Sequence, residues 1–181
     1  MRKPVLGILG FSDGDKAAHE MLKPIVQAQV DAIAEALKKD GRVDVVVAED
    51  IIHSDKTAKS YAEGLKAKGV DATVFAYGVF AFPVFSVIAA RYGKGPFLLA
   101  APFNPDWPGM VSMLAAGGGL DHEGIEHFRV AGDVNEKEVI EKIVTFAKCA
   151  KVVSSLSGQK YGLIGGRSLG MYSTTVSMQD W

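Results

Sequence analysis

Short runs of consecutive apolar residues alternate along the chain with longer stretches whose apolar positions recur every three or four residues. Residues 5–9 (VLGIL) form the first run, and a polar loop over 11–16 follows it. Over residues 17–39, Met21, Leu22, Ile25, Val26, Ala28, Ile33 and Leu37 fall at helical spacing. Pro24 is expected to start or kink that helix, and Asp40-Gly41 to end it. A valine-rich second strand is predicted over 43–48, then a helix over 55–66 with Ser54 as its N-cap and Gly69 closing it. Residues 72–76 read as a third strand, and Pro83 opens a helix that runs to Tyr92. Residues 97–101 read as a fourth strand. The segment PFNPDWPGMVSMLAAGGG reads as a long loop followed by a small-residue helix, with Pro108 in its first turn. A fifth strand is predicted over 125–130, a helix over 136–156 capped by Asn135, and a short sixth strand over 161–164.

Strands that are apolar at every position, rather than at alternate ones, are strands covered on both faces. Alternating with helices, they imply a three-layer α/β sandwich around a parallel sheet of about five strands. Right-handed crossovers narrow the order to flavodoxin-like or Rossmann-like. The run SSLSGQ over 154–159 is linker-like, which divides the chain into an α/β domain, 1–157, and a C-terminal extension, 158–181.

Composition adds exclusions. Among 181 residues, 20 Lys and Arg nearly balance 21 Asp and Glu, so no basic face is implied and neither nucleic acid nor an anionic membrane is an expected partner. No apolar stretch is long enough to span a bilayer. The N-terminal MRKPVLGILGF is broken at once by Ser12-Asp13-Gly14-Asp15 and reads as a strand rather than a signal peptide. Cys149 is the single cysteine, which excludes an intrachain disulfide and fits a reducing, cytoplasmic setting.

In an open α/β sheet, ligands bind beyond the carboxyl ends of the strands, where strand order reverses. With flavodoxin-like order the crevice lies between the loops GFSDGDK and YGVFAFP. The first offers Ser12, Asp13, Asp15 and Lys16, and the second offers Tyr77, Phe80 and Phe82. The loop after the fourth strand adds Asn104, Asp106 and Trp107. Polar groups facing aromatic walls suit a neutral polyhydroxylated ligand such as a sugar. Asp-Gly-Asp serves equally well as turn and capping chemistry, and the two phenylalanines serve equally well as packing. Asp13 and Asp15 stand where a phosphate would sit, and G-x-G-x-x-G is absent, which argues against a nucleotide or flavin. His19, His53, His122 and His127 show no ligand spacing, and Asp121-His122 with His127 reads as solvated or capping rather than metal-binding.

Residues 166–170 spell G-x-S-x-G, the pattern of a hydrolase nucleophile elbow at Ser168. No histidine follows it, and the residues after Gly170 do not make the helix that an elbow needs, so Ser168 is not expected to be a nucleophile.

The combination of GILGFSDGD, VFAFP, NPDWPG and KYGLIGGRSLGMY resembles the N-terminal region of the L-fucose isomerase family, which includes D-arabinose isomerases. The stretch over 158–170 is its most specific part, and the family carries tryptophan at the position of Phe80. The resemblance implies hexameric, Mn²⁺-dependent ketol isomerases with two N-terminal α/β domains and a C-terminal domain. Metal ligands and acid/base carboxylates would lie beyond this chain. No cofactor and no catalytic residue is therefore expected within it. The residues 12–16 and Phe80 would face the substrate, and Arg167 and Ser168 would line an interdomain cleft. The chain would then be the N-terminal part of an isomerase of the L-fucose/L-fuculose or D-arabinose/D-ribulose type, contributing substrate contacts and subunit assembly without turnover of its own. Apolar surface around Leu163, Leu169, Met171 and Trp181 would favour self-association. A freestanding sugar-binding or regulatory module is the alternative, and a serine hydrolase acting through Ser168 ranks last.

Overall fold

A computed structural model describes residues 2–160 and 162 of the chain. Five strands, β1 (Val5–Gly10), β2 (Asp44–Val47), β3 (Ala72–Ala76), β4 (Phe97–Ala101) and β5 (His127–Ala131), alternate with five helices. The helices are α1 (Lys16–Asp40), α2 (Asp55–Ala67), α3 (Pro83–Tyr92), α4 (Gly109–His122) and α5 (Lys137–Leu156). All pairings are parallel, in the order β2-β1-β3-β4-β5. That is the flavodoxin-like order, so the reversal falls between β1 and β3 as the sequence implies.

The unbroken apolar runs have a direct cause: β3 and β4 are buried at every position because both faces are covered. Leu6, Ile8, Val74, Ala76, Leu98 and Ala100 point to one layer, filled by Val26, Val30 and Ile33 of α1 and Ile143 and Ala147 of α5. Leu9, Phe75, Tyr77, Phe97 and Leu99 point to the other, filled by Ala62 and Leu65 of α2, Phe85 and Ala89 of α3, and Met113 and Leu120 of α4. This is the three-layer α/β sandwich.

Ser54 caps α2 as its sequence position implies. Its Oγ accepts from the Thr57 amide at 3.3 Å while Thr57 Oγ1 accepts from the Ser54 amide at 3.0 Å. One helix cap differs from expectation, and of the two roles given to Pro24 that of a helix start is ruled out. Pro24 lies in the interior of α1, because Asp15 already caps that helix, its carboxylate accepting from the Ala18 amide at 2.9 Å. Asn135 does not cap α5. Its amide and its side chain both bond Asp133 Oδ1 at 2.8 Å, and the N-cap is Glu136, with no side-chain bond. β5 also begins two residues later than expected, since the Ile125 amide is taken by the Leu120 carbonyl at the end of α4 (2.9 Å). The predicted sixth strand and the apolar residues 163, 169, 171 and 181 lie outside the described residues, as does most of the extension.

Candidate ligand site at the carboxyl end of the sheet

The loop between β3 and α3 is the centre of the crevice. It starts at Tyr77, whose phenol is fully buried and bonded to Ser86 Oγ at 2.7 Å; burial pushes that phenol up from its ordinary pKa. Gly78 then passes directly against α1: a Cβ there would lie 3.3 Å from Gln29 Cβ and 3.4 Å from the Ile25 carbonyl. From the other layer Gly109, the first residue of α4, comes so close to the Tyr77 carbonyl that a Cβ would stand 2.5 Å from its oxygen. The glycine that ends NPDWPG is therefore required by a close approach. Beyond it Ala81 is buried, while Phe80 is half-buried and Phe82 is 46% exposed, their rings edge to face at 6.0 Å.

The loop after β1 abuts this aromatic face, since a Cβ at Gly14 would meet Phe85 Cζ at 3.1 Å and Phe82 Cδ2 at 3.5 Å. Its acids do turn work. Asp13 Oδ1 accepts from the Asp15 amide at 2.8 Å, and Asp15 Oδ1 caps α1. Lys16 is exposed at the helix start. Ser12 is fully buried, its amide bonded to the Ile52 carbonyl and its Oγ without a hydrogen-bond partner.

On the α1 side of Gly78 a groove of about 430 Å³ opens between α1 and the loop after β4. Pro24, Ile25, Ala28 and Gln29 form one wall, Pro102, Asn104 and Trp107 the other, and Gly78 lies with them. Asn104 is exposed, and its Oδ1 accepts from the Asp106 amide at 2.8 Å. An indole, two carboxamides and proline faces, with no charged side chain in the lining, make a neutral wall that can stack on a ring and bond hydroxyls. Of the residues proposed from sequence, Asn104 and Trp107 line this groove. Gly14 brings the 13–16 loop against Phe82 at the other end of the β3–α3 loop, and Ser12 is sealed beneath. Gln29 and Gly78 were not legible in the sequence: Gln29 is one polar residue on a helix, and its partner loop lies some seventy positions away. Arg167 and Ser168 lie outside the described residues.

A larger groove, about 540 Å³, lies elsewhere, between α5 and the β4–β5 edge of the sheet. It is lined by Leu98, Phe128, Val130, Phe146 and Val153, with Cys149 exposed beside them. It lies away from the strand crevice, and Arg129, Glu138, Glu141 and Lys142 join its apolar lining, so the smaller, uncharged groove is the better match to a neutral polyhydroxylated ligand.

Two histidines missed as a pair stand at the carboxyl ends of β1 and β2. His19 of α1 is buried, with no partner for its Nδ1, and stacks on His53 at 4.1 Å, the rings 22° apart. Beside them Lys23 bonds Asp50 at 2.7 Å, and burial pushes Asp50 up while the Lys23 ammonium and the Ile51 amide hold it below its ordinary range. Burial, then the charge of His53, lowers His19 below its ordinary 6.5; Glu20 and Asp50 oppose this and Lys23 adds to it. Stability from the neutral His19 is complete above 6.5 and is lost as pH falls from there through the lowered folded value, because the unfolded chain takes up a proton that the folded one resists. Thermal melts from about pH 7.5 to 5 should show the midpoint falling on acidification, and His19→Phe should flatten that slope. An equal slope in the variant would assign the effect to other groups.

The Asp121, His122 and His127 cluster does not suit a metal. Arg129 donates from Nε to His127 Nε2 at 3.0 Å and from Nη2 to Asp121 at 2.9 Å, so a cation already occupies those acceptors. Among the described residues no group of three or more His, Cys, Asp or Glu is placed to hold a metal ion. Nor is any of their helices long and apolar enough to cross a membrane.

Comparison with known proteins then decides the family. Residues 3–158 match the profile of the first N-terminal domain of L-fucose isomerase. The chain belongs to the L-fucose isomerase family. It is 27% identical over 192 residues to the L-fucose isomerase of Bacteroides fragilis and 25% identical over 191 residues to that of Bacteroides thetaiotaomicron. Each alignment covers 96% of this chain and 32% of the relative, so the chain spans about a third of the length of the curated relatives it matches. The α/β domain described above accounts for nearly all of the match to this L-fucose isomerase domain, which ends two residues after α5.

Proposed function

We propose that this chain is the N-terminal, substrate-side part of a ketol isomerase that interconverts an aldose and a ketose of the L-fucose/L-fuculose or D-arabinose/D-ribulose type. The observation that carries the reading is the uncharged groove of Trp107, Asn104, Gln29 and Gly78 at the carboxyl end of the sheet, in a domain of this family. In this reading Trp107 packs against the C–H face of the sugar and the two carboxamides bond its hydroxyls, while Phe80 and Phe82 offer a second aromatic surface beside the 13–16 loop.

Manganese does not fit the described residues, which hold no suitable ligand cluster, so no step through the metal is assigned to this domain. The proton transfers of aldose–ketose exchange need carboxylates placed on the substrate carbons. Asp13 and Asp15 are engaged in the turn and the cap instead. The pure chain should therefore show no isomerase turnover even with Mn²⁺ added; turnover would overturn this division of labour. Assembly into a homo-oligomer, a hexamer in the complete enzyme, and a cytoplasmic location belong to the same proposal. The exposed Phe103, Val111 and Leu114, on the β4–α4 loop and on α4, support an assembly face there.

The test is tryptophan fluorescence and calorimetry with L-fucose and D-arabinose. Wild type should bind one of them, and Trp107→Ala should weaken binding about tenfold, the loss expected for removing one aromatic platform. Unchanged affinity in the variant would remove the groove from the proposal.

A further inference from the structure

We infer that Ser112 is the positioning residue of the aromatic rim, fixing the direction of Phe80 and Phe82 by holding the peptide between them. Ser112 lies one turn into α4 and is fully buried. A serine inside a helix ordinarily turns its hydroxyl to the carbonyl a turn back or to solvent. This one does neither: Oγ accepts from the Ala81 amide at 3.0 Å and donates to the Ala81 carbonyl at 3.3 Å, 31 positions away. Among the described residues these are the only side-chain hydrogen bonds made to residues 78–82.

The lever is geometric. Phe82 is extended at φ −65° and ψ 131°, Ala81 is buried, and Phe80 and Phe82 flank it with rings edge to face. Holding the amide and the carbonyl of Ala81 fixes the two peptide planes that flank it, and with them the directions in which Phe80 and Phe82 leave the backbone. Without the hydroxyl, both groups stay buried and unsatisfied, which favours any loop rotation that returns them to water. The role in binding rests on the sugar-site reading above; the clamp itself does not.

The experiment places 4-fluorophenylalanine in the chain and compares wild type, Ser112→Ala and Ser112→Thr by ¹⁹F NMR, amide exchange and sugar titration. In Ser112→Ala the Ala81 amide should exchange at least about tenfold faster while the β3 amides keep their protection. The resonances of Phe80 and Phe82 should shift or average, and sugar affinity should fall about five- to tenfold. Ser112→Thr, which keeps the hydroxyl, should restore all three, and if the added methyl prevents folding, the site-specific Ala81 exchange and fluorine spectra of Ser112→Ala decide alone. Unchanged Ala81 exchange and unchanged fluorine resonances would overturn the inference. So would equal acceleration at every amide, which marks general loosening; a changed rim with unchanged affinity would overturn the role in binding and leave the clamp in place. A wild type that binds neither sugar would instead overturn the sugar-site reading, with exchange and fluorine spectra still deciding the clamp.

Discussion

Phe75→Ala should lower the free energy of unfolding by about 3–5 kcal/mol, the range for deleting a fully buried phenylalanine. Phe75 is completely buried in the middle strand of the sheet. It meets Phe11 edge to face at 5.0 Å and Phe97 at 5.2 Å, linking the end of β1 to the start of β4. Phe97 belongs to a strand held by a parallel ladder and Phe11 is bridged to Ile52 just past β1, so neither can collapse into the vacated space and the cavity contribution should be retained. Urea unfolding should show a lower midpoint with an unchanged slope, as for a stability change without a change in compactness. Phe103→Ala is the control: that ring is 71% exposed, and its loss should stay within about 0.5 kcal/mol. Similar losses in both variants would mean that the β1–β3–β4 aromatic cluster is not the keystone of its layer.

Gly109→Ala should destabilise by about 1–3 kcal/mol, the usual range for forcing an atom into a filled site. The clash is with the Tyr77 carbonyl oxygen at 2.5 Å and the Gly78 carbonyl carbon at 3.1 Å. Both are backbone, so no side-chain rotation relieves it; α4 or the β3–α3 loop must move. The Trp107 response to sugar should weaken with it, because Gly78 lies in the groove that the indole lines. Gly118→Ala in the same helix should do the opposite. Nothing lies within 4 Å of its Cβ position, and the helix should gain about 0.5–1 kcal/mol from the better propensity of alanine. Opposite signs for one substitution at two positions of α4 separate close approach from propensity; two losses would contradict the packing described.

Much of the fold was readable because burial on both faces leaves a plain mark. The runs at 72–76 and 97–101 match β3 and β4 residue for residue. What misled was local chemistry with two uses. Pro24 reads as a start or a kink of its helix until Asp15 is seen to have capped the helix well upstream, and Asn135 reads as a cap until Asp133 takes its bonds. At the candidate site, strand order alone locates the crevice, and Asn104 and Trp107, picked out from their loop, line the groove there. Ser12 reads as an exposed hydroxyl, yet the Phe11–Ile52 bridge draws the chain inward and buries it. Gln29, Ser112 and the His19–His53 pair were hidden because each acquires meaning only from a partner distant in sequence.

The β3–α3 loop is gripped from both helical layers at once, Gly78 against α1 and the Tyr77 carbonyl against Gly109. Its length is thereby frozen: a single residue inserted between Tyr77 and Ala81 would have to displace either α1 or α4. Under the sugar-site proposal, changes of ligand preference on this scaffold would come from exchanges of side chain at Phe80, Phe82, Asn104 and Trp107 rather than from the length of this loop.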